Sequence, residues 1–391
     1  MFRPRSMSLL ALFPLALLLG ACSGASGSSP SPSPNPVPSP TPPATSGAWV
    51  MGYAVGYEAD LLPLADLHWA DLTHIAVGRA TPNPDGSLNT SFDIDPVQGP
   101  VWAKSVVQAA HAHGVKAILM LGGAGEQAGF RSAAGAAHRG TFVQNILSLV
   151  QDYGFDGVDL DWEPLEAGDE APLKALAVDL KAGRPGLLLT LPVNFVNAND
   201  PTGEARPSFA SISATFDRVN VMSYGMAGAY DGWQSWHSSA LTGDTENTPS
   251  SVDSSVKAYL AAGVPAGKLG VGIGFYGLCW KGVKEPRQTA AGMQVVADDG
   301  DMSYANIAAQ YLAPAAKRWD AAAQVPYLSS AAPLGPKGCT FVSYEDAQSI
   351  AAKGQYARGK GLGGVVIWTL AQGHTGGGDP LLDATKAAFR P

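Results

Sequence analysis

Between Asp156 and Glu163 the chain reads Asp-Gly-Val-Asp-Leu-Asp-Trp-Glu, with Asp159, Asp161 and Glu163 at every second position of an otherwise apolar run. Alternate side chains of an extended strand share a face, so three carboxyls project into one space while Val158, Leu160 and Trp162 project the other way. Like charges crowded in this way cannot all ionise, and at least one pKa must rise. A carboxylic acid kept protonated near neutral pH can donate that proton to a leaving oxygen, which is the chemistry of glycosidic bond cleavage. The competing reading is a solvated acidic loop or a cation site. Calcium loops also alternate acids, but they intersperse them with Gly, Asn and Ser rather than Val, Leu and Trp.

Such a strand needs neighbours on both sides. Strands are expected over 48–53, 74–78, 116–121, 157–161, 187–192, 218–223, 269–275 and 363–368, with helices over 101–113, 141–153, 252–262 and 345–359 between them. Gly114 supplies the stop for the helix that ends at His113. Eight short apolar strands, each followed by a helix, read as a closed parallel (β/α)8 TIM barrel. An open, doubly wound sheet shares the same local pattern. In a barrel the C-terminal strand ends build the site, which is where the acids fall. Residues 279–340, between the seventh and eighth strands, are too many for a barrel loop. They read as a small α+β insertion forming one wall of a cleft, with a helix expected over 302–319.

The N-terminus carries Arg3 and Arg5, an apolar run over 9–19 and then Leu-Gly-Ala-Cys ending at Cys22. This is an export signal whose apolar run is too short to span a bilayer. Its ending resembles a bacterial lipoprotein box, which implies removal of residues 1–21, lipidation of Cys22 and tethering at the cell envelope. A plain secretory signal is the alternative. Residues 22–46 hold the lipidated cysteine and a Pro/Ser-rich spacer with nothing to bury, expected to be extended and polyproline-like. The folded domain is expected over 47–391.

Only 15% of residues are charged and the formal net charge is −8, so no basic face for nucleic acid is apparent. With Cys22 assigned to the lipobox, Cys279 and Cys339 remain. They either pair in the oxidising environment of an exported protein or stay as two buried thiols. Among seven histidines the only close pair is His111-x-His113, on different faces of a helix. No metal, no cofactor and a monomer are expected.

Taken together, these residues resemble glycoside hydrolase family 18, the chitinases and their relatives. The signature D-x-x-D-x-D-x-E is complete as Asp156, Asp159, Asp161 and Glu163. Further matches are Gly52-Tyr53, Gly122-Gly123, Met222-Ser223-Tyr224, Gly274-Phe275-Tyr276-Gly277 and Gly363 to Trp368, in the family's order. The resemblance implies retaining hydrolysis of an N-acetylglucosamine polysaccharide in which the substrate's own acetamido oxygen is the nucleophile. It implies that Glu163 is the acid and base, that Asp161 holds the acetamido N–H, and that Asp159 shares a proton with Asp161. It implies further that Tyr224 binds the acetamido carbonyl and that Trp368 floors the sugar. Tyr53, Gly123, Met222 and Tyr276 would line the substrate site, and Asp156 would be structural. A binding-only lectin is the alternative function, as is an endo-acting N-acetylglucosaminidase working on N-glycans or cell-wall sugars.

Four positions depart from the family pattern. Met120 stands where Ser commonly supports the inner aspartate, and Gly225 stands where Asp commonly follows the tyrosine. Leu278 replaces an arginine commonly paired with that Asp, so the joint change leaves no single charge stranded. Ala124 replaces a tryptophan that often stacks a sugar beyond the cleavage point. An altered subsite wall is expected, and Trp233, Trp236 and Trp280 are candidate replacements for the stacking.

Overall fold

The computed structural model describes residues 47–391; the expected signal, Cys22 and the spacer lie outside the described residues. Eight parallel strands close on themselves. Seven come in succession: β1 (Trp49–Val55), β2 (His74–Pro82), β3 (Lys116–Ala124), β4 (Gly157–Glu163), β5 (Leu188–Asn194), β6 (Arg218–Met222) and β7 (Leu269–Gly274). Five strands of an insertion follow: β8 (Leu278–Lys281), β9 (Gln294–Ala297), β10 (Lys317–Asp320), β11 (Val325–Leu334) and β12 (Cys339–Ser343). The eighth barrel strand is β13 (Gly364–Trp368), which pairs with both β7 and β1, while β1 also pairs with β2 and closes the ring.

The strands are nearly all apolar because both faces are covered. On β1, Trp49, Met51, Tyr53 and Val55 point into the barrel with Ala76, Ile118, Met120 and Val366. Val50 points outward into the layer between sheet and helices, as do Val158, Leu160 and Trp162 of β4. Helices α1 (Gln98–Ala112), α2 (Arg139–Tyr153), α3 (Glu170–Gly183) and α4 (Val252–Ala261) cover that outer face. The helix expectations hold to within a few residues. Gly114 does take a positive φ of 73° at the end of the first helix.

The β1–β2 and β5–β6 connections are not long helices. The first is made of 3-10 turns at Gly56–Glu58 and Trp69–Asp71, where Leu62, Leu67, Trp69 and Leu72 are buried without helical spacing and Pro63 interrupts the run. The second has only the short turns Pro201–Glu204 and Phe209–Ile212.

The insertion is mainly a five-stranded antiparallel sheet in the order β9–β8–β12–β11–β10. The helix expected over 302–319 is confined to α5 (Tyr304–Gln310). Pro314 ends any continuation, and the chain then extends into β10, where Trp319 pairs with Pro326 across the sheet. The final helices are α6 (Ala347–Gly359) and α7 (Pro380–Phe389). The first starts two residues later than expected because the Asp346 side chain caps it, accepting from the amides of Gln348 and Ser349.

Cys279 on β8 and Cys339 on β12 form a disulfide across 60 residues, with Cα atoms 5.3 Å apart. It sits in a small core with Met302, Ile307, Leu328 and Val342. Closing so long a loop removes much of the freedom of the unfolded insertion. Replacing both cysteines by serine is expected to cost about 2–4 kcal/mol, on the scale of other long-loop disulfides. The check is the guanidinium unfolding curve of the double variant against the oxidised wild type.

Candidate active site

Strand β4 places its three acids at the C-terminal half of the barrel. Asp159 is fully buried, Asp161 is 4% exposed and Glu163 is half-buried at the strand's end. Outward-facing Trp162 locks the strand from behind by stacking on Phe130, with ring centroids 4.8 Å apart. The alternation read from the sequence is therefore physical, and the acids point into the barrel because their neighbours pack out of it.

Each acid meets a different environment. Asp159 accepts from two hydroxyls: Tyr53 Oη on β1 at 2.6 Å to Oδ2, and Thr190 Oγ1 on β5 to Oδ1. Burial pushes its pKa up to about 6, against the opposing effect of these two hydrogen bonds. Burial also drives Asp161 well above the ordinary carboxylate range, and the charges of Glu163 and Asp159 add to the effect while Arg79 opposes it. Asp161 Oδ1 is buried with no hydrogen-bond partner among the described residues. Burial raises Glu163 as well. The phenols of Tyr53, Tyr224 and Tyr276 are all held far above their usual range by burial, so all three remain donors.

A cleft of about 230 Å³ opens over these groups. Besides Asp161 and Glu163 it is lined by Tyr53, Met222, Tyr224, Tyr276 and Trp368, all expected from the sequence, and by Met120 and Ala124. Trp368 lies beside Tyr53, centroids 5.3 Å apart, and Tyr224 meets Tyr276 edge-on at 6.1 Å. Gly123 does not line the cleft; a Cβ there would stand 3.0 Å from Arg79 Nη1, so its lack of a side chain admits the guanidinium. Asp156 stays at the strand's entry, where its Oδ2 accepts from the Ala117 amide and contacts His111 Nε2, each at 2.9 Å.

The departures have local explanations. Met120 lies opposite Asp159 in the β3–β4 register and packs in the barrel interior. The hydroxyl it lacks comes instead from Thr190 on the other neighbouring strand. Leu278 is buried among Trp236, Trp280, Val325 and Phe341. Gly225 has a φ of 61°, and a Cβ there would come within 2.8 Å of Tyr276 Oη. Of the three candidate stacking tryptophans, Trp236 and Trp280 are fully buried and belong to the core. Trp233 packs edge-on against the exposed ring of Tyr230, at 5.1 Å.

Three residues of the site were not expected. Thr190 was visible only as one hydroxyl in an apolar strand. Arg79 donates from Nη1 to the Gly122 carbonyl at 3.1 Å and pairs with Asp93 at 2.9 Å. Asp299, from the insertion, accepts from Trp368 Nε1 at 3.1 Å and from Gln372 Nε2 at 2.8 Å. Gln372 also donates to the buried Glu58 at 2.9 Å, so a polar chain ties the Trp368 floor to the insertion and to the end of β1. No sequence spacing links residues so far apart.

A closed parallel barrel with an acid-lined cleft at its C-terminal end has the layout of a barrel glycosidase. Residues 50–373 match the family described as glycosyl hydrolases family 18, and the chain belongs to that family. It is 32% identical to chitinase A1 of Niallia circulans over 279 residues, which are 61% of this chain and 38% of that protein. The chain thus spans well under half of that relative's length. The fold is similar to that of Ostrinia furnacalis group IV chitinase, solved with allosamidin: TM-score 0.72, 23% identity, 87% of this chain and 98% of that one. It is similar also to human YKL-39, described as a pseudo-chitinase with retained chitooligosaccharide binding: TM-score 0.74, 18% identity, 88% of this chain and all of that one.

The raised Asp159 pKa has a sign that can be tested. A carboxyl raised from 3.8 to about 6 on folding contributes stability that is fully present below its unfolded value and lost as pH rises through the folded one. Wild type is therefore expected to lose on the order of 2–3 kcal/mol relative to Asp159→Asn between pH 4 and pH 7. Urea unfolding of both proteins across that range measures it.

Proposed function

We propose that the protein hydrolyses β-1,4-linked N-acetylglucosamine polymers, chitin or chito-oligosaccharides, with retention and with assistance from the substrate's acetamido group. The observation that carries this reading is Asp161, a buried carboxyl in the cleft, between Asp159 and Glu163, whose Oδ1 has no hydrogen-bond partner among the described residues. A buried acceptor left unpaired is costly, and an acetamido N–H seated in the cleft would satisfy it. That bond would aim the acetamido oxygen at the anomeric carbon. As the new C–O bond forms, Glu163 gives its proton to the leaving glycosidic oxygen and the C–O bond to the leaving sugar breaks. The resulting oxazolinium cation lies beside Asp161, which stabilises it as the anion once the proton of the aspartate pair has passed to Asp159. Glu163, now a carboxylate, takes a proton from water, and the hydroxide so formed opens the ring on the face that the leaving group vacated. Tyr224 is a donor for the acetamido carbonyl, and Trp368 provides the apolar floor.

Glu163 supports an enzyme over a lectin, because a binding-only site has no use for a half-buried acid at this position. The uncharged wall around Gly225 and Leu278 goes with weaker or shifted action on ordinary chito-oligosaccharides, or with a different N-acetylglucosamine-containing glycan, and Ala124 offers no stacking surface beyond the cleavage point. The lipobox reading adds an acylated Cys22 that would hold the enzyme at the cell envelope.

Time-resolved product analysis with anomer detection, on N-acetylglucosamine pentamer and hexamer, tests the reading. Initial products in the β configuration are expected, and Glu163→Gln should lower the rate by about 10²–10⁴-fold with oligomer affinity retained, the range for loss of a general acid. Binding without cleavage by the wild type would favour the lectin. Release of N-glycans from glycoproteins in place of chito-oligosaccharide cleavage would move the substrate to that class.

A further inference from the structure

Beneath Asp159 lies a second, smaller space. A cavity of about 20 Å³ is lined by Trp49, His74, Leu188 and Arg218, the first residues of β1, β2, β5 and β6, together with Thr190 and Asp217. It therefore sits at the N-terminal end of the barrel, opposite the cleft. Its size suits about one water molecule. Three buried polar atoms nearby have no hydrogen-bond partner among the described residues: Trp49 Nε1 and both Nδ2 and Oδ1 of Asn220. Asn220 and Trp49 meet beside Gly270, where a Cβ would be 2.6 Å from Asn220 Oδ1 and 2.7 Å from Trp49 Cζ2. Buried amides and indole N–H groups left open by the protein are where internal water is held.

Thr190 belongs to both spaces. Its hydroxyl donates to Asp159 Oδ1, and the same side chain lines the lower cavity. A hydroxyl that gives its one proton upward keeps its lone pairs for a donor from below. Asp159 itself is fully buried, its other oxygen is capped by Tyr53, and a substrate in the cleft would cover Asp161 above it.

We propose that Thr190 and a water in this cavity form a proton relay linking Asp159 to solvent at the N-terminal end of the barrel, so that the aspartate pair exchanges a proton while the cleft is occupied. In uptake, Asp159 Oδ1 takes the Thr190 proton, Thr190 Oγ1 takes one from the water, and the water takes one from solvent. Release runs the same steps backwards, and one proton crosses in each case. The relay rests on the hydrolytic reading only for the use made of that proton.

The surrounding groups leave this path free. Around Asp159 the titratable neighbours are Tyr53 on β1, Asp161 on β4 and Tyr224 just beyond β6. Around the cavity, Asp217 is held by Lys181 at 2.6 Å and by the Leu189 amide at 2.8 Å, while Arg218 stacks on Trp49 at 4.3 Å. Burial, with Lys116 and Arg218 adding to it and Asp156 opposing, lowers His74 to about 4. Its ring is neutral at ordinary pH and Nδ1 is taken up by Thr73 Oγ1 at 2.8 Å.

The test uses the full chain and three variants. Leu188→Phe fills the cavity without touching the Thr190–Asp159 bond; Thr190→Val removes the relay hydroxyl and Thr190→Ser restores it. In Leu188→Phe the solvent exchange of the Thr190 hydroxyl proton, read by NMR, is expected to slow about tenfold or more, toward the rate set by local opening. On chito-oligosaccharide, Leu188→Phe and Thr190→Val are expected to lower kcat by about tenfold with a larger solvent deuterium isotope effect and unchanged KM, and Thr190→Ser to recover both. An unchanged exchange rate in Leu188→Phe overturns the relay whatever the activity. Slowed exchange in a protein that cleaves no chito-oligosaccharide supports the relay and overturns the substrate reading instead. If Leu188→Phe does not fold, the Thr190 pair decides: an unchanged isotope effect in Thr190→Val overturns the relay, because loss of a hydrogen bond alone shifts only the pH profile.

Discussion

Two aspartates stand inside the barrel with no cation among the described residues paired with either, and the cost of removing them from water governs how the surrounding strands are built. Desolvation penalises each charge strongly, and a second charge two residues away on the same face adds to it. The protein answers in part with neutral donors. Tyr53 and Thr190 reach Asp159 from two different strands: β5 lies next to β4, whereas the bond from β1 is feasible because the barrel closes and brings that strand across from β4. Arg79, whose charge opposes the rise at Asp161, is engaged with Gly122 and Asp93 and acts on the carboxyl through space. The aspartate pair thus carries less charge than its composition suggests.

The same constraint explains how the site tolerates its departures from the family pattern. What Asp159 requires is a second hydroxyl, and the strand that supplies it is secondary. Met120 then fills interior volume on one side while Thr190 makes the bond on the other. On the opposite wall stand a glycine that admits a tyrosine and a leucine in an apolar cluster, so neither position places a charge there.

Much of this was legible in the chain. The period-two acids, the eight apolar runs and the long interval before the last strand gave the barrel, its insertion and the strand carrying the carboxyls. Most expected cleft residues line one cavity because each lies at the C-terminal end of its strand, a position that local pattern defines. What escaped was non-local. Nothing in the sequence around Asp299 or Arg79 tells which strand end they approach, and Thr190 is a single hydroxyl among leucines. Trp236 and Trp280 illustrate the converse: a large aromatic near a site motif has the same composition whether it faces sugar or core. The helix expected over 302–319 failed because its apolar residues serve two elements separated by Pro314.

Gly225 and Tyr276 occupy the same space in alternation. With the glycine in a left-handed conformation and the tyrosine hydroxyl 2.8 Å from where a Cβ would stand, any side chain at position 225 meets the ring and must displace it. An arginine at 278 would enter the apolar cluster of Trp236, Trp280, Val325 and Phe341 as a buried, unpaired charge. A charged wall here therefore takes coordinated replacement of neighbouring positions, and no one substitution builds it alone.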